Sequence, residues 1–237
     1  MVAYIELTLI KGEMKKITIC LALLLLFSSG LAMAQDWPGL ARYQDANKKM
    51  KQAGPAKVVY MGDSITDSWI DASPDFFAEN SYTDRGISGQ TSPQMLLRFR
   101  QDVIDLKPKV MVLLCGINDI AGNTGPSTIE MIEDNIQSMS ELAEANNIKV
   151  VLCSLLPSIY VFWKPGLNPA ASVAALNQWI SDYAFQKHFA YVDYYTALAG
   201  DKRDLKEPYS KDGLHPNPAG YKVMEGLVKV AVDKLLE

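Results

Sequence analysis

From residue 56 onward the chain alternates between two textures. Five short apolar runs, AKVVYMG (56–62), YTDRGI (82–87), KVMVLLCG (109–116), KVVLCSLLP (149–157) and FAYVDYYTAL (189–198), are separated by longer stretches with helical spacing. In SPQMLLRFRQDVIDL, Met95, Leu96, Phe99, Val103 and Leu106 fall on one helical face. STIEMIEDNIQSMSELAEAN and PAASVAALNQWISDYAFQ read the same way, and PAGYKVMEGLVKVAVDKLLE predicts a terminal helix. Strands without polar alternation imply burial on both faces, and strand–helix alternation implies a parallel sheet. Right-handed crossovers then place helices on both sides. The pattern predicts a five-stranded parallel sheet in a three-layer α/β/α domain. The segment from Gln35 to Ala53 predicts a polar N-terminal helix packed outside that core.

The N-terminal texture is different. MKKITICLALLLLFSSGLAMAQD opens at Met14 with two lysines, runs apolar from Ile17 to Phe27, and ends in the small residues Ala32-Met33-Ala34. A basic start, a short apolar stretch and an A-x-A end make up a secretory signal peptide. The apolar run is shorter than the ~20 residues of a spanning helix, so no stable membrane insertion is expected after cleavage. The predicted boundary falls after Ala34: residues 1–34 are the signal, with Met14 as an alternative start, and residues 35–237 are a single domain, secreted or periplasmic. Cys20 lies inside the signal, away from a lipid-attachment position. Cys115 and Cys153 fall in strand-like runs and read as two small buried hydrophobes, a disulfide between them being the alternative in an exported protein.

Composition narrows the function. The 237 residues are 49% apolar and 21% charged, with a net charge of −4. This is a globular balance, and an acidic one that argues against a general nucleic-acid binder.

In parallel α/β sheets functional groups collect where the strands end. After the first strand comes Gly62-Asp63-Ser64; after the second, Gly86-Ile87-Ser88-Gly89; after the third, Gly116-Ile117-Asn118-Asp119; before the terminal helix, Asp212-Gly213-Leu214-His215. Each has a plain structural reading. Ser64 can be a helix N-cap, and Asn118 and Asp212 can be turn residues. Together they hold what ester hydrolysis by serine requires. A hydroxyl is a poor nucleophile until a base takes its proton, a carboxylate must hold that base in the right tautomer, and the oxyanion needs fixed donors. His215 is one of two histidines in the chain. The other, His188, reads as a helix C-terminal residue favoured by the dipole.

These four ordered blocks resemble the SGNH hydrolases, the GDSL esterase/lipase family, and most closely the subgroup similar to platelet-activating-factor acetylhydrolase. The resemblance implies a flavodoxin-like sheet and no metal or organic cofactor. It implies Ser64 as nucleophile, His215 as general base and then acid, and Asp212 as its orienter. It implies an oxyanion hole formed by the Ser64 and Gly89 N–H groups and the Asn118 side-chain amide. No G-x-S-x-G nucleophile elbow occurs in the chain.

The substrate is less sharply written. PSIYVFWKPGLNP follows the fourth strand and is predicted to lie on the rim of the site. There Tyr160, Phe162 and Trp163 either contact substrate or pin the loop. Trp69 reads as helix packing. Without a long apolar lid, the expected reaction is removal of short acyl groups, acetyl above all, from a carbohydrate or other small ester. The alternative is a lysophospholipase-like activity on longer acyl chains. Two non-catalytic rivals are a phosphate- or flavin-binding module, which Asp63 and Asp67 in the first loop disfavour, and a glycan-binding pseudoenzyme.

Overall fold

The computed structural model describes residues 36–237, and Pro38–Glu237 pack as one unit. The expected signal segment, its cleavage after Ala34 and the Met14 start lie outside the described residues. Five strands, β1 (Val58–Gly62), β2 (Tyr82–Gly86), β3 (Val110–Leu114), β4 (Lys149–Cys153) and β5 (Ala190–Val192), form one sheet in the order β2-β1-β3-β4-β5. All neighbours are parallel. This is the flavodoxin-like order, in which the chain reverses direction across the sheet between β1 and β3.

The apolar runs divide between the two faces because successive strand side chains point oppositely. Val59, Met61, Met111, Leu113, Val150 and Leu152 pack against α5 (Ser92–Asp102), α7 (Ile129–Ala145) and α8 (Ala170–Lys187). Val58, Tyr60, Val110, Val112, Leu114 and Val151 face the other layer. That layer is made by the short helices α2 (Ser64–Asp67), α3 (Trp69–Ala72) and α4 (Pro74–Asn80), by α9 (Tyr194–Leu198), and by the terminal α10 (Pro218–Leu236). Cys115 belongs to the first apolar cluster and Cys153 to the second. The sheet therefore separates them, and both are buried free thiols. Burial pushes the Cys153 thiol up to about 12.

Five boundaries differ from those predicted. The run 149–157 leaves the sheet after Cys153, because the Asn177 side chain takes both the N–H and the carbonyl of Leu155, at 2.7 and 3.0 Å. The run 189–198 is a strand only to Val192. Asp193 then accepts the Thr196 N–H at 2.9 Å and caps a helix. The stretch 92–106 breaks into α5 and a 3-10 turn, Ile104–Leu106. His188 is not helical but a left-handed cap (φ 58°) whose N–H closes α8. The N-terminal helix α1 spans only Gln44–Ala53. Its Asn47 is buried, joining Asp102 and Arg85 at 2.5 and 2.9 Å.

One side chain joins the two halves of the second layer. Trp69 is 1% exposed, stacks on Phe76 and Tyr221, and meets Tyr60 and Phe77 edge-on. Its Nε1–H points at Glu225 of α10 at 3.4 Å. Removing so large a ring leaves a cavity as well as losing its burial, a cost of about 3–5 kcal/mol. Trp69→Ala is expected to lower the denaturation free energy by that amount, read from the midpoint at unchanged slope.

Candidate active site

Ser64 stands where β1 meets α2. Gly62 ends the strand, and Asp63 is the N-cap, its Oδ1 accepting the Ile65 N–H at 3.0 Å. The N-cap reading of Ser64 is thus corrected by one residue: Ser64 is the first helical residue, and its hydroxyl is released from capping. Helix α2 comes so close to the neighbouring strand end that a Cβ on Gly86 would lie 2.0 Å from the Asp67 nitrogen. Only glycine fits there. Burial raises the Asp63 carboxyl to about 6, against the opposing Ile65 hydrogen bond and the His215 charge.

Ser64 Oγ lies 2.9 Å from His215 Nε2, and His215 Nδ1 lies 2.7 Å from Asp212 Oδ2. The D-G-L-H turn explains how one short loop delivers both side chains. Asp212 Oδ1 accepts the N–H groups of Leu214 and His215 at 2.9 and 2.8 Å, so the carboxylate folds back over its own turn and turns Oδ2 to the imidazole. Gly213 is left-handed (φ +72°), and a Cβ there would press on the Tyr160 ring at 2.9 Å. The Ser210 hydroxyl donates to the His215 carbonyl at 2.7 Å and accepts the Gly213 N–H at 2.9 Å. Partial burial acts to raise the Asp212 carboxyl, but the hydrogen bonds from the His215 ring, the His215 N–H and the Leu214 N–H prevail and hold it below the usual range. Downstream, Asn217 caps α10, and the Tyr221 hydroxyl donates to the Ile65 carbonyl at 2.8 Å. That bond clamps the helix after His215 to the helix that begins with Ser64.

Asn118 sits in a single helical turn, α6 (Ile117–Ile120), 1% exposed. Its Nδ2 donates to the Gln90 carbonyl at 3.0 Å and to Asp63 Oδ2 at 3.3 Å. It therefore links the first loop to the second. Gly89, the residue before Gln90, has φ +78°. Asp119 is structural: both its oxygens accept the Ser92 N–H, at 3.0 and 2.9 Å, and Oδ1 the Ser92 hydroxyl at 2.6 Å. Asp67 similarly takes the Ser88 N–H and hydroxyl at 3.1 and 2.6 Å. The four sequence blocks thus converge at one edge of the sheet.

The rim residues divide. The Tyr160 hydroxyl donates to the Asp212 carbonyl, pinning the histidine loop. Phe162 is 56% exposed, with its ring centroid 6.2 Å from that of His215. Trp163 meets Phe162 edge-on, and its Nε1–H donates to Asn123 Oδ1 at 2.8 Å. Asn123 was not singled out in the sequence, where it is one polar residue in a loop. Among the described residues, no group of three or more His, Cys, Asp or Glu side chains is disposed to hold a metal ion.

Comparison with known proteins gives the family and the fold. The sequence profile of the GDSL-like lipase/acylhydrolase family matches residues 60–223. A candidate acylhydrolase from Bacteroides fragilis NCTC 9343 has a similar structure, with TM-score 0.83 and 42% identity over 86% of this chain and 100% of that one. A GDSL-like lipase from Bacteroides thetaiotaomicron VPI-5482 gives 0.79 and 42%, covering 84% and 99%. The uncharacterized lipoprotein YqeF of Bacillus subtilis (strain 168) is 35% identical over 77 residues, 31% of this chain. The chain spans 32% and 42% of the lengths of the two curated relatives it matches.

Proposed function

The chain belongs to the GDSL-like lipase/acylhydrolase family, and from that premise we propose that it is a carboxylic ester hydrolase in which Ser64, His215 and Asp212 carry the reaction. The carrying observation is the unbroken chain of contacts from Ser64 Oγ to His215 Nε2 (2.9 Å) and from His215 Nδ1 to Asp212 Oδ2 (2.7 Å). As the Ser64 oxygen attacks the ester carbon, its proton passes to Nε2 and the carbonyl π pair moves onto oxygen. Asp212 stabilises the imidazolium through Nδ1–H. The oxyanion collapses, the C–O bond to the alcohol breaks, and Nε2 returns the proton to the departing oxygen. Water then attacks the acyl-enzyme by the same route, releasing the acid and restoring the Ser64 hydroxyl.

The Ser64 and Gly89 N–H groups and the Asn118 amide form the oxyanion hole in this reading. Both Asn118 N–H groups are engaged in the free site, and the 3.3 Å bond to Asp63 is the weaker. An oxyanion would compete for that donor. Asn118→Ala is expected to lower kcat by ~10²–10³ with little change in KM. Steady-state kinetics checks this, and unchanged turnover would remove Asn118 from the hole.

Short acyl groups are the favoured substrates. The exposed Phe162 and Trp163 rings beside His215 suit a sugar face, the alcohol side of an O-acetyl carbohydrate, better than they enclose a long acyl chain. The signal-like residues 14–34 and the likeness to a lipoprotein support an exported enzyme. Hydrolysis rates on p-nitrophenyl acetate, butyrate and octanoate test the reading, with Ser64→Ala as control. Ser64-dependent hydrolysis fastest on acetate is expected. A preference for octanoate would move the substrate to longer acyl esters, and equal rates in the mutant would end the serine mechanism.

A further inference from the structure

A primary amide presents an oxygen at one end and two N–H groups at the other, and a half-turn exchanges them. An oxyanion hole that uses the Asn118 amide works only if Nδ2 faces the substrate. The Gln90 carbonyl and Asp63 hold its nitrogen end, and what holds its oxygen end lies outside the four blocks. Asn123 Nδ2 donates to Asn118 Oδ1 at 2.9 Å and to the Gly89 carbonyl at 3.1 Å. At its other end, Asn123 Oδ1 accepts the Trp163 Nε1–H at 2.8 Å.

The polarity of this chain is not free. An indole N–H can only donate, and a backbone carbonyl can only accept. Trp163 therefore requires oxygen at its end of Asn123, and Gly89 requires nitrogen at the other. Asn118 must then turn its oxygen to Asn123 and its nitrogen toward Gln90 and Asp63, whose carbonyl and carboxylate oxygens also accept. Every bond has one assignment.

We propose that Asn123 is a positioning residue of the oxyanion hole, holding the Asn118 amide and the Gly89 turn together, with its own orientation set by Trp163 of the rim loop. The proposal rests on the oxyanion-hole reading of Asn118 and Gly89. It gives Trp163 a role besides any contact with substrate: the rim loop and the hole are joined through one amide. The loop that carries Asn123 has other anchors. The Asn123 N–H donates to the Asn118 carbonyl at 3.0 Å, and Thr124 meets Thr91 at 3.0 Å through their hydroxyls. Asn123 is itself exposed. Truncating its side chain should leave the loop in place and take from Asn118 the donor to its Oδ1, so that the Gln90 and Asp63 acceptors alone hold the amide.

The test is steady-state kinetics on p-nitrophenyl acetate. The variants are Asn123→Ala, Trp163→Phe, Asn118→Ala, the Asn118→Ala/Asn123→Ala pair, and Ser64→Ala. Asn123→Ala is expected to lower kcat about tenfold, a fraction of the loss of a whole donor, with KM within about twofold of wild type. Trp163→Phe keeps the ring and deletes only the N–H, and should lower kcat by about threefold. In the Asn118→Ala background, Asn123→Ala should cost clearly less than it does alone, because most of its effect passes through the missing amide. Wild-type kcat in Asn123→Ala, or the same factor in both backgrounds, would overturn the proposal. Wild-type kcat in Trp163→Phe would sever the rim loop from it. Undiminished hydrolysis in Ser64→Ala would instead overturn the underlying serine mechanism, whatever the asparagine variants do. Should Asn123→Ala fail to fold, Asn123→Ser, whose side chain is too short to bridge Asn118 and Trp163, takes its place in both backgrounds, and wild-type kcat there would overturn the proposal.

Discussion

Ser64→Ala and His215→Ala are each expected to lower kcat by about 10⁶, and the double variant to lower it no further. The two side chains act as one unit. Without His215 nothing takes the proton from Ser64 Oγ as it attacks, and without Ser64 the base has no nucleophile to serve. What remains is the oxyanion hole and substrate binding, worth ~10³–10⁴ over water. Neither change should unfold the protein. The cap of α2 belongs to Asp63, whose bond to the Ile65 N–H needs nothing from the serine. The His215 loop keeps its Asp212 bonds to two backbone N–H groups and the Ser210 bond to the His215 carbonyl. Burst and steady-state measurements on p-nitrophenyl acetate, alongside thermal unfolding, check both halves. Ten or more times the expected residual rate in either single variant, at wild-type stability, would mean that another group supplies the nucleophile or the base.

The parts legible in the sequence are those where one physical rule acts alone. A strand buried on both faces must be apolar throughout, so β1 and β3 stand out, and the parallel arrangement follows from what separates them. The end of β5 was not legible, because Tyr194–Leu198 is as apolar and aromatic as a strand. What turns it into a helix is a single Asp193 side chain competing for the Thr196 N–H. The end of β4 depends on Asn177, more than twenty residues away in sequence, which no local pattern contains.

The same division holds at the site. Ser64, Asn118, Asp212 and His215 lie in short blocks with fixed spacing, and the fold brings those blocks to one edge. The Ser64 N-cap reading was off by one residue, because Asp63 and Ser64 are both good caps and only the backbone shows which is half outside the helix. Tyr160, Phe162 and Trp163 were legible as a rim but not as three different things. Their divergence depends on which acceptor each meets: the Asp212 carbonyl for Tyr160, Asn123 for Trp163, and none for Phe162, which has no polar atom to place. Asn123 had no periodicity or motif to mark it. Its meaning comes from an indole donor forty residues later.

Asp212→Asn is expected to lower kcat by about 10⁴ while leaving the fold intact, and the reason lies in the turn. Asparagine has nearly the shape of aspartate, but its two ends differ. The N–H groups of Leu214 and His215 both donate to Oδ1, at 2.9 and 2.8 Å, and only an oxygen can accept them. The substituted side chain must therefore keep its oxygen on the backbone and turn its NH₂ toward His215 Nδ1. That nitrogen then has to accept, which moves the ring proton to Nε2 and points it at Ser64 Oγ. The imidazole becomes a donor where the reaction needs a base, and the imidazolium loses the carboxylate that stabilised it. Asp212→Ala removes the same charge without forcing the tautomer, so it should be less damaging than Asp212→Asn at equal stability. It also gives up the two backbone bonds, so its unfolding midpoint should fall below that of the asparagine variant. The ordering of the two variants in kcat, opposite to their ordering in stability, separates tautomer control from simple support of the loop. If Asn proves the more active of the two, the carboxylate acts chiefly by holding the turn.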